Sequence, residues 1–206
     1  MPQTNPSHLS RRSLRLPDWD YSQPGAYFIT MVTYQREHLF GEIIDGKMRR
    51  NDAGKILWEI WQSLPARYPN ISLDEAIVMP NHFHGIVIIE ENPVVAAFDV
   101  AAIHSLPVAA IHKLPLPDEL PRRNELPQSD KESYRLSRRR MLIPLVIGYL
   151  KMNSSKRINL LLNSSGVPVW QRNYYERIVR NDRAYEAIRQ YIRSNPASWT
   201  MDEENW

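Results

Sequence analysis

Two β-rich runs, LDEAIVM (73–79) and HFHGIVIIE (82–90), are separated by only Pro80 and Asn81. A connection that short leaves no room for a crossover, so the two strands must be antiparallel neighbours. This pairing excludes an all-helical fold and a purely parallel sheet. Ahead of it, AYFITMVTY (26–34) is a β-branched and aromatic run of strand character, and the DG pair in LFGEIIDGKMR predicts a hairpin turn. Asn51 or Asp52 then caps a helix in which Ala53, Leu57, Ile60, Trp61 and Leu64 recur at helical spacing, with Pro65 and Pro69 marking its end.

After the strand pair the character changes. Residues 91 to about 140 hold six of the 16 prolines, and the octapeptide VAAIHSLP (100–107) is followed at once by VAAIHKLP (108–115). Eight residues are too few for a solenoid unit, so the tandem copy reads as duplication within a tolerant, Pro-rich insertion. Arg135, Arg138, Arg139 and Arg140 at its end form a charge run, usually a solvated face. From Pro144 the pattern LVIGYLKMNSSKRINLLL is helical, with Val146, Leu150, Ile158 and Leu161 apolar and Lys151, Lys156 and Arg157 between them as a basic outer face. PVWQRNYYERIVRN (168–181) predicts a final strand, and Asn181 or Asp182 caps a last helix stopped by Pro196. The order is strand pair, helix, strand pair, helix, strand, helix. It predicts an α+β fold: a ferredoxin-like, RRM-like antiparallel sheet with helices packed mainly on one side. The expected organisation is a basic arm at 1–22 carrying Arg11, Arg12 and Arg15, one domain over 23–199 interrupted at 91–140, and a tail at 200–206.

Lys and Arg number 26 against 23 Asp and Glu, a net charge of +3, which is a mild excess compatible with a polyanionic partner. The chain has no cysteine, which removes disulfides, Cys-ligated zinc and thiol nucleophiles and fits folding in a reducing compartment. No stretch approaches the roughly 20 apolar residues of a membrane span, and the first residues lack the apolar core of a secretion signal. The expectation is therefore a cytoplasmic protein without a membrane partner.

If 82–90 is a strand, alternation points His82 and His84 to one face and Phe83 into the core. Rings about 6 to 7 Å apart along the strand can share one metal ion. Two histidines with an oxygen ligand leave positions open for water or phosphate, which suits a catalytic ion such as Mg²⁺ or Mn²⁺. The other histidines, His8, His38, His104 and His112, show no such pairing. In YIRSNP (191–196), Tyr191 and Asn195 are four apart on one helix face, so an amide oxygen can reach a metal while the phenol faces the substrate. A phenolate attacks a polarised phosphodiester, and the phosphotyrosine formed conserves the bond energy for rejoining. Tyr149 and Asn153 have the same spacing on the preceding helix, and Tyr174 and Tyr175 are further phenols pointing to opposite faces of a strand. Spacing alone leaves these alternatives open.

Together, MPNHFHGIVII (79–89), GYLKMNSSKRIN (148–159), VWQRNYYERIVRND (169–182), YIRSNP (191–196) and the earlier DYSQPGAYFITMVTYQREHLFGEI (20–43) resemble the REP-associated tyrosine transposases. These are a branch of the single-tyrosine transposases that carry a His-hydrophobe-His motif. The resemblance covers nearly everything outside the insertion. It implies a ferredoxin-like domain that binds hairpin-forming palindromic repeats and breaks single-stranded DNA. Tyr191 would be the nucleophile, giving a 5′-phosphotyrosine and a free 3′-hydroxyl. His82, His84 and Asn195 would bind the metal, and Tyr149 falls in a DNA-facing helix instead. Lys151, Lys156 and Arg157 of that helix, with Arg172 and with Arg11 and Arg12 of the arm, would contact DNA. Two features depart from the family: Arg177 stands where many members have a histidine, and the repeat-bearing insertion has no counterpart. A rival expectation is a catalytically inactive hairpin binder, and another is a metal hydrolase in which water attacks. Monomer and dimer are equally compatible with the sequence.

Overall fold

The computed structural model describes residues 19–91 and 141–201; Arg11, Arg12 and Arg15, the expected insertion from 92 to 140, and residues 202–206 lie outside the described residues. The chain runs β1 (Gly25–Val32), β2 (Gly41–Ile44), β3 (Lys47–Arg50), α1 (Asp52–Gln62), a one-turn α2 (Leu64–Arg67), β4 (Ile71–Val78) and β5 (His82–Ile89). From residue 141 onward come α3 (Leu142–Leu161), β6 (Tyr175–Val179), α4 (Asp182–Ser194) and a 3₁₀ segment, Asn195–Met201. The main sheet has the order β4-β5-β1-β6, with every neighbouring pair antiparallel. With β2–β3 set aside as a separate hairpin, the order β1-α1-β4-β5-α3-β6 is the ferredoxin-like topology. The hairpin and α4 are additions to it.

Local chemistry explains the boundaries. Asp45 and Gly46 both take positive φ, at 51° and 67°, as the tight two-residue turn between β2 and β3 requires. Asn51 caps α1 by accepting from Gly54 N at 3.0 Å, and Asn181 caps α4 by accepting from Ala184 N at 2.8 Å. The final strand is shorter than the run 168–181 suggests. Only Tyr175–Val179 pairs with β1, and Trp170 makes one isolated bridge to Thr33. The carbonyls of residues 171–173 accept instead from Lys151, so they are not free for a ladder. Pro196 does not stop the helical path either. Lacking an N–H, it ends the α-helical bonding, and the chain tightens into the 3₁₀ segment.

One sheet face carries α1 and α3. Leu57, Ile60 and Trp61 of α1 and Ile143, Val146, Ile147 and Leu150 of α3 are buried against Tyr27, Ile29, Met31, Phe83 and Val87. The other face carries α4, whose Ile188 and Ile192 pack on Phe28 and Ile86. The domain also begins before residue 23. Tyr21 is buried in the main core, its carbonyl accepts from Ile143 N, and Ser22 Oγ accepts from Leu142 N. Trp19 to Ser22, expected as part of the arm, are thus packed on the domain.

β5 is seated by its contact with α1. Trp61 packs on Phe83 with ring centroids 4.8 Å apart, and a Cβ at Gly85 would stand 2.8 Å from two carbons of the same indole. Gly85→Val should therefore destabilise the protein by about 1–3 kcal/mol. The expected reading is a lower urea midpoint at unchanged slope. An unaltered midpoint would mean that Trp61 does not hold this strand.

Candidate active site

The parity of β5 that buries Phe83 turns His82 and His84 to the opposite face, beneath α4. Both imidazoles are almost completely buried, and their centroids lie 4.5 Å apart, closer than strand spacing alone predicts because the rings lean together. Each has a polar partner on its Nδ1. Asn81 Nδ2 donates to Arg36 O, which leaves its Oδ1 to accept from His82 Nδ1 at 2.9 Å. In the neutral ring the lone pair then sits on Nε2. His84 Nδ1 lies 2.8 Å from Thr30 Oγ1, the residue directly across β1 in the sheet register. Burial, and secondarily the neighbouring His82, hold His84 well below the usual histidine range. It is therefore the neutral, metal-competent form at physiological pH.

Tyr191 reaches this pair from α4: its phenol oxygen is 3.2 Å from His84 Nε2. Phe28 supports both partners, stacking on His84 at 5.4 Å and meeting Tyr191 edge-on at 6.2 Å. Asn195, one turn further on and buried, lines the same cleft of about 920 Å³ as His84 and Tyr191. Tyr191 remains 45% exposed, so the phenol is accessible from solvent although the histidines are not. The 3₁₀ segment then brings Trp199 to 5.9 Å from His82 and 5.5 Å from His38.

The seat of α4 is polar at the sheet edge. A register shift in β4 between Leu73 and Ala76 accompanies the contacts of Asp74 and Glu75 with the helix. Arg189 Nε meets Asp74 at 3.1 Å, and Arg193 places Nε and Nη2 on one Glu75 oxygen at 2.9 and 2.6 Å. Tyr185 donates to Asp74 as well. The spacing 185, 189, 193 puts these three groups on one stripe of the helix, beside the stripe carrying Tyr191.

The structure thus brings His82, His84, Tyr191 and Asn195 to one place. Tyr149 and Asn153 are elsewhere: Tyr149 packs edge-on against Tyr68, and the Asn153 amide donates to the Tyr149 carbonyl. Of the paired phenols, Tyr174 faces the main core, whereas Tyr175 is exposed in the cleft. The basic residues of α3 lie across the sheet from the histidines. Lys151 is not part of an outward face, since its ammonium is drawn in by the carbonyls of Gln171, Arg172 and Asn173. Arg157 pairs with Glu59 of α1 at 2.7 Å, while Lys156 and Arg172 are exposed. Sequence reasoning missed Thr30, Phe28, Asn81 and Trp199. The first two share the parity of β1 opposite to its core residues Tyr27, Ile29 and Met31, a signal that the strand pattern contains. Trp199 has no local signal, because its position depends on the turn after Pro196.

Two outcomes test this geometry. Asp74→Asn combined with Glu75→Gln should loosen α4, so that amide exchange across 182–194 rises several-fold while β5 stays protected. Equal acceleration in both would show that the contact supports the whole domain instead. Burial lowers the Lys151 ammonium to about 8, against the pull of its three carbonyls, which accept from the charged form. Between that value and the roughly 10.4 of an unfolded lysine, the unfolded chain binds more protons, so stability rises with pH through that window. Lys151→Met should abolish that rise in a pH series of urea midpoints.

No family model matches the sequence. Among solved structures, the REP-associated tyrosine transposase bound to a REP hairpin shows 13% identity and a TM-score of 0.45, over 98% of this chain and 77% of that one. A protein of Deinococcus radiodurans R1 provisionally assigned as a transposase shows 14% identity and a TM-score of 0.42, over 83% and 90% of the two chains. An uncharacterized protein of Haemophilus influenzae strain Rd is 34% identical over 193 residues, covering 94% of this chain and 92% of that one. With that identity sustained across almost the whole of both chains, the protein belongs to the same family as its Haemophilus influenzae relative.

Proposed function

We propose that the protein is a metal-dependent DNA strand transferase that cuts and rejoins single-stranded, hairpin-forming DNA through Tyr191. The observation that carries this reading is the phenol of Tyr191 at 3.2 Å from the ring of His84, in a cleft shared with Asn195 and next to His82. The resemblance of the sequence blocks to the REP-associated tyrosine transposases supports it and suggests repeated palindromes as the DNA partner.

The donor set fits a divalent ion. His82 presents an Nε2 lone pair, His84 is held neutral, and the Asn195 side chain is a neutral oxygen donor lining the same cleft. Among the described residues no Asp or Glu joins the two histidines as a metal cluster, so an amide is the natural third protein ligand. An ion such as Mg²⁺ or Mn²⁺ bound there would polarise a phosphate oxygen and offset the negative charge developing on the phosphate oxygens.

The chain's own residues supply the rest. Thr30 and Asn81 fix the two rings in orientation, and Phe28 holds the phenol beside them. The Tyr191 oxygen forms a bond to phosphorus as the bond from phosphorus to the 3′ oxygen breaks. The proton lost by the phenol is balanced by the one gained at the 3′-hydroxyl. One phosphodiester is exchanged for another, so the reverse attack by a 3′-hydroxyl rejoins the strand without an external energy source.

Incubation with labelled single-stranded hairpin DNA and Mg²⁺ or Mn²⁺ should give a protein–DNA adduct that survives a denaturing gel. The adduct should be lost with EDTA and in Tyr191→Phe, and retained in Tyr149→Phe. Strand scission without an adduct would indicate attack by water, and binding with neither would indicate a hairpin-binding protein.

A further inference from the structure

The cleft extends beyond the residues used above. From His84, the register runs across Thr30 of β1 to Tyr175 of β6, and the next pair along the same face places Arg177 across from Phe28. Tyr175 and Arg177 line the same cleft as Tyr191. Two interstrand spacings separate the backbone of His84 from that of Tyr175, roughly 10 Å. The floor is Phe28 and Thr30. The opposite wall is α4, which presents Ala184 and Ala187 at this end, and these small side chains leave room above β6.

The chemistry of this extension is particular. Tyr175 is a large aromatic group left 42% exposed, on a face where Phe28 and Ile86 are covered by α4. Arg177 is exposed, and among the described residues no carboxylate lies within ion-pairing distance of it. The two arginines of α4 that face β4 are paired, Arg189 with Asp74 and Glu186 and Arg193 with Glu75. The carboxylate next to Arg177 in sequence, Glu176, is buried with the opposite parity, on the other face of the strand. An exposed ring beside an uncompensated guanidinium, in a groove leading from a phosphate-attacking phenol, matches what a single nucleic acid strand requires. It needs a stacking surface for a base and a cation for a phosphate.

We propose that Tyr175 and Arg177 form a subsite for the nucleotide adjoining the phosphate that Tyr191 attacks. The base stacks on Tyr175 and the neighbouring phosphate pairs with Arg177. The inference rests on the function proposed above and specifies how the strand is threaded through the cleft.

The test uses Tyr191→Phe protein, so that binding is read without chemistry, and a set of single-stranded hairpin oligonucleotides. In that set each phosphate in turn is replaced by a neutral methylphosphonate. Arg177→Gln should lower the slope of log affinity against log salt by about one unit, and Arg177→Lys should keep it. One methylphosphonate position should weaken binding by the Arg177 protein and not by Arg177→Gln. Tyr175→Leu should reduce affinity about tenfold, with no further loss when the base adjoining that position is removed. Unchanged salt slope and an unchanged methylphosphonate pattern in Arg177→Gln would overturn the subsite. That result leaves intact the Tyr191-dependent adduct formed by the otherwise native protein, which is read separately. Absence of any single-strand binding would overturn both.

Discussion

The contact between Phe83 and Trp61 decides where everything else on β5 points. A strand has two faces, and a slip by one residue exchanges them. With Phe83 and Val87 committed to the core and Gly85 admitting the edge of the indole, no other register keeps the apolar residues dry. His82 and His84 are then obliged to face the other way. Because β5 is an interior strand, paired along both edges by β4 and β1, the imidazoles inherit a position defined from two sides. An apolar contact on one face of the sheet thus fixes polar chemistry on the other.

The opposite partner, Tyr191, is held by weaker means. α4 buries only Ile188 and Ile192 deeply, and the rest of its seat is the ion-pair stripe to Asp74 and Glu75. Those groups are partly exposed, so salt and water screen them, and their value lies in several charges acting as a network more than in any one pair. The result is a rigid half, the histidine pair on an interior strand, facing a half that is easier to displace. The proposed binding of a DNA strand between them would demand access, which the exposed phenol and the open end of the cleft provide.

Much of this order is legible in the residues themselves. The short link at Pro80 and Asn81 requires an antiparallel pair, the caps at Asn51 and Asn181 lie where their side chains suggest, and the alternation around Phe83 gives the facing of both histidines. What failed to read through is non-local. Lys151 looks like an outward cation on a helix, yet the carbonyls that capture it come from a loop some twenty residues on. That same capture shortens the final strand, whose composition suggests a longer one. Pro196 signals a stop, but a proline only removes an N–H, and the chain continued as 3₁₀ turns that return Trp199 to the histidines. Spacing could not choose between Tyr191 and Tyr149, because both pairs satisfy the same helical period. The sheet separates them by placing α3 on one face and α4 on the other.

Burying two imidazoles in one place is costly unless each polar nitrogen is answered. Here Asn81 and Thr30 take the two Nδ1 positions, and they are themselves anchored, Asn81 through Arg36 O and Thr30 by its place in β1. The Nε2 of His84 turns towards Tyr191 in the cleft, where a cation would meet it. A structure evolved only for stability would gain more from apolar residues at 82 and 84, since neither ring contributes to the main core and His84 is held neutral by burial and, secondarily, by the neighbouring His82. Fixing the rings in orientation beside a cleft, with His84 held neutral, is instead the preorganisation that the proposed metal-assisted reaction would need, because the ligands need not reorient when charge develops.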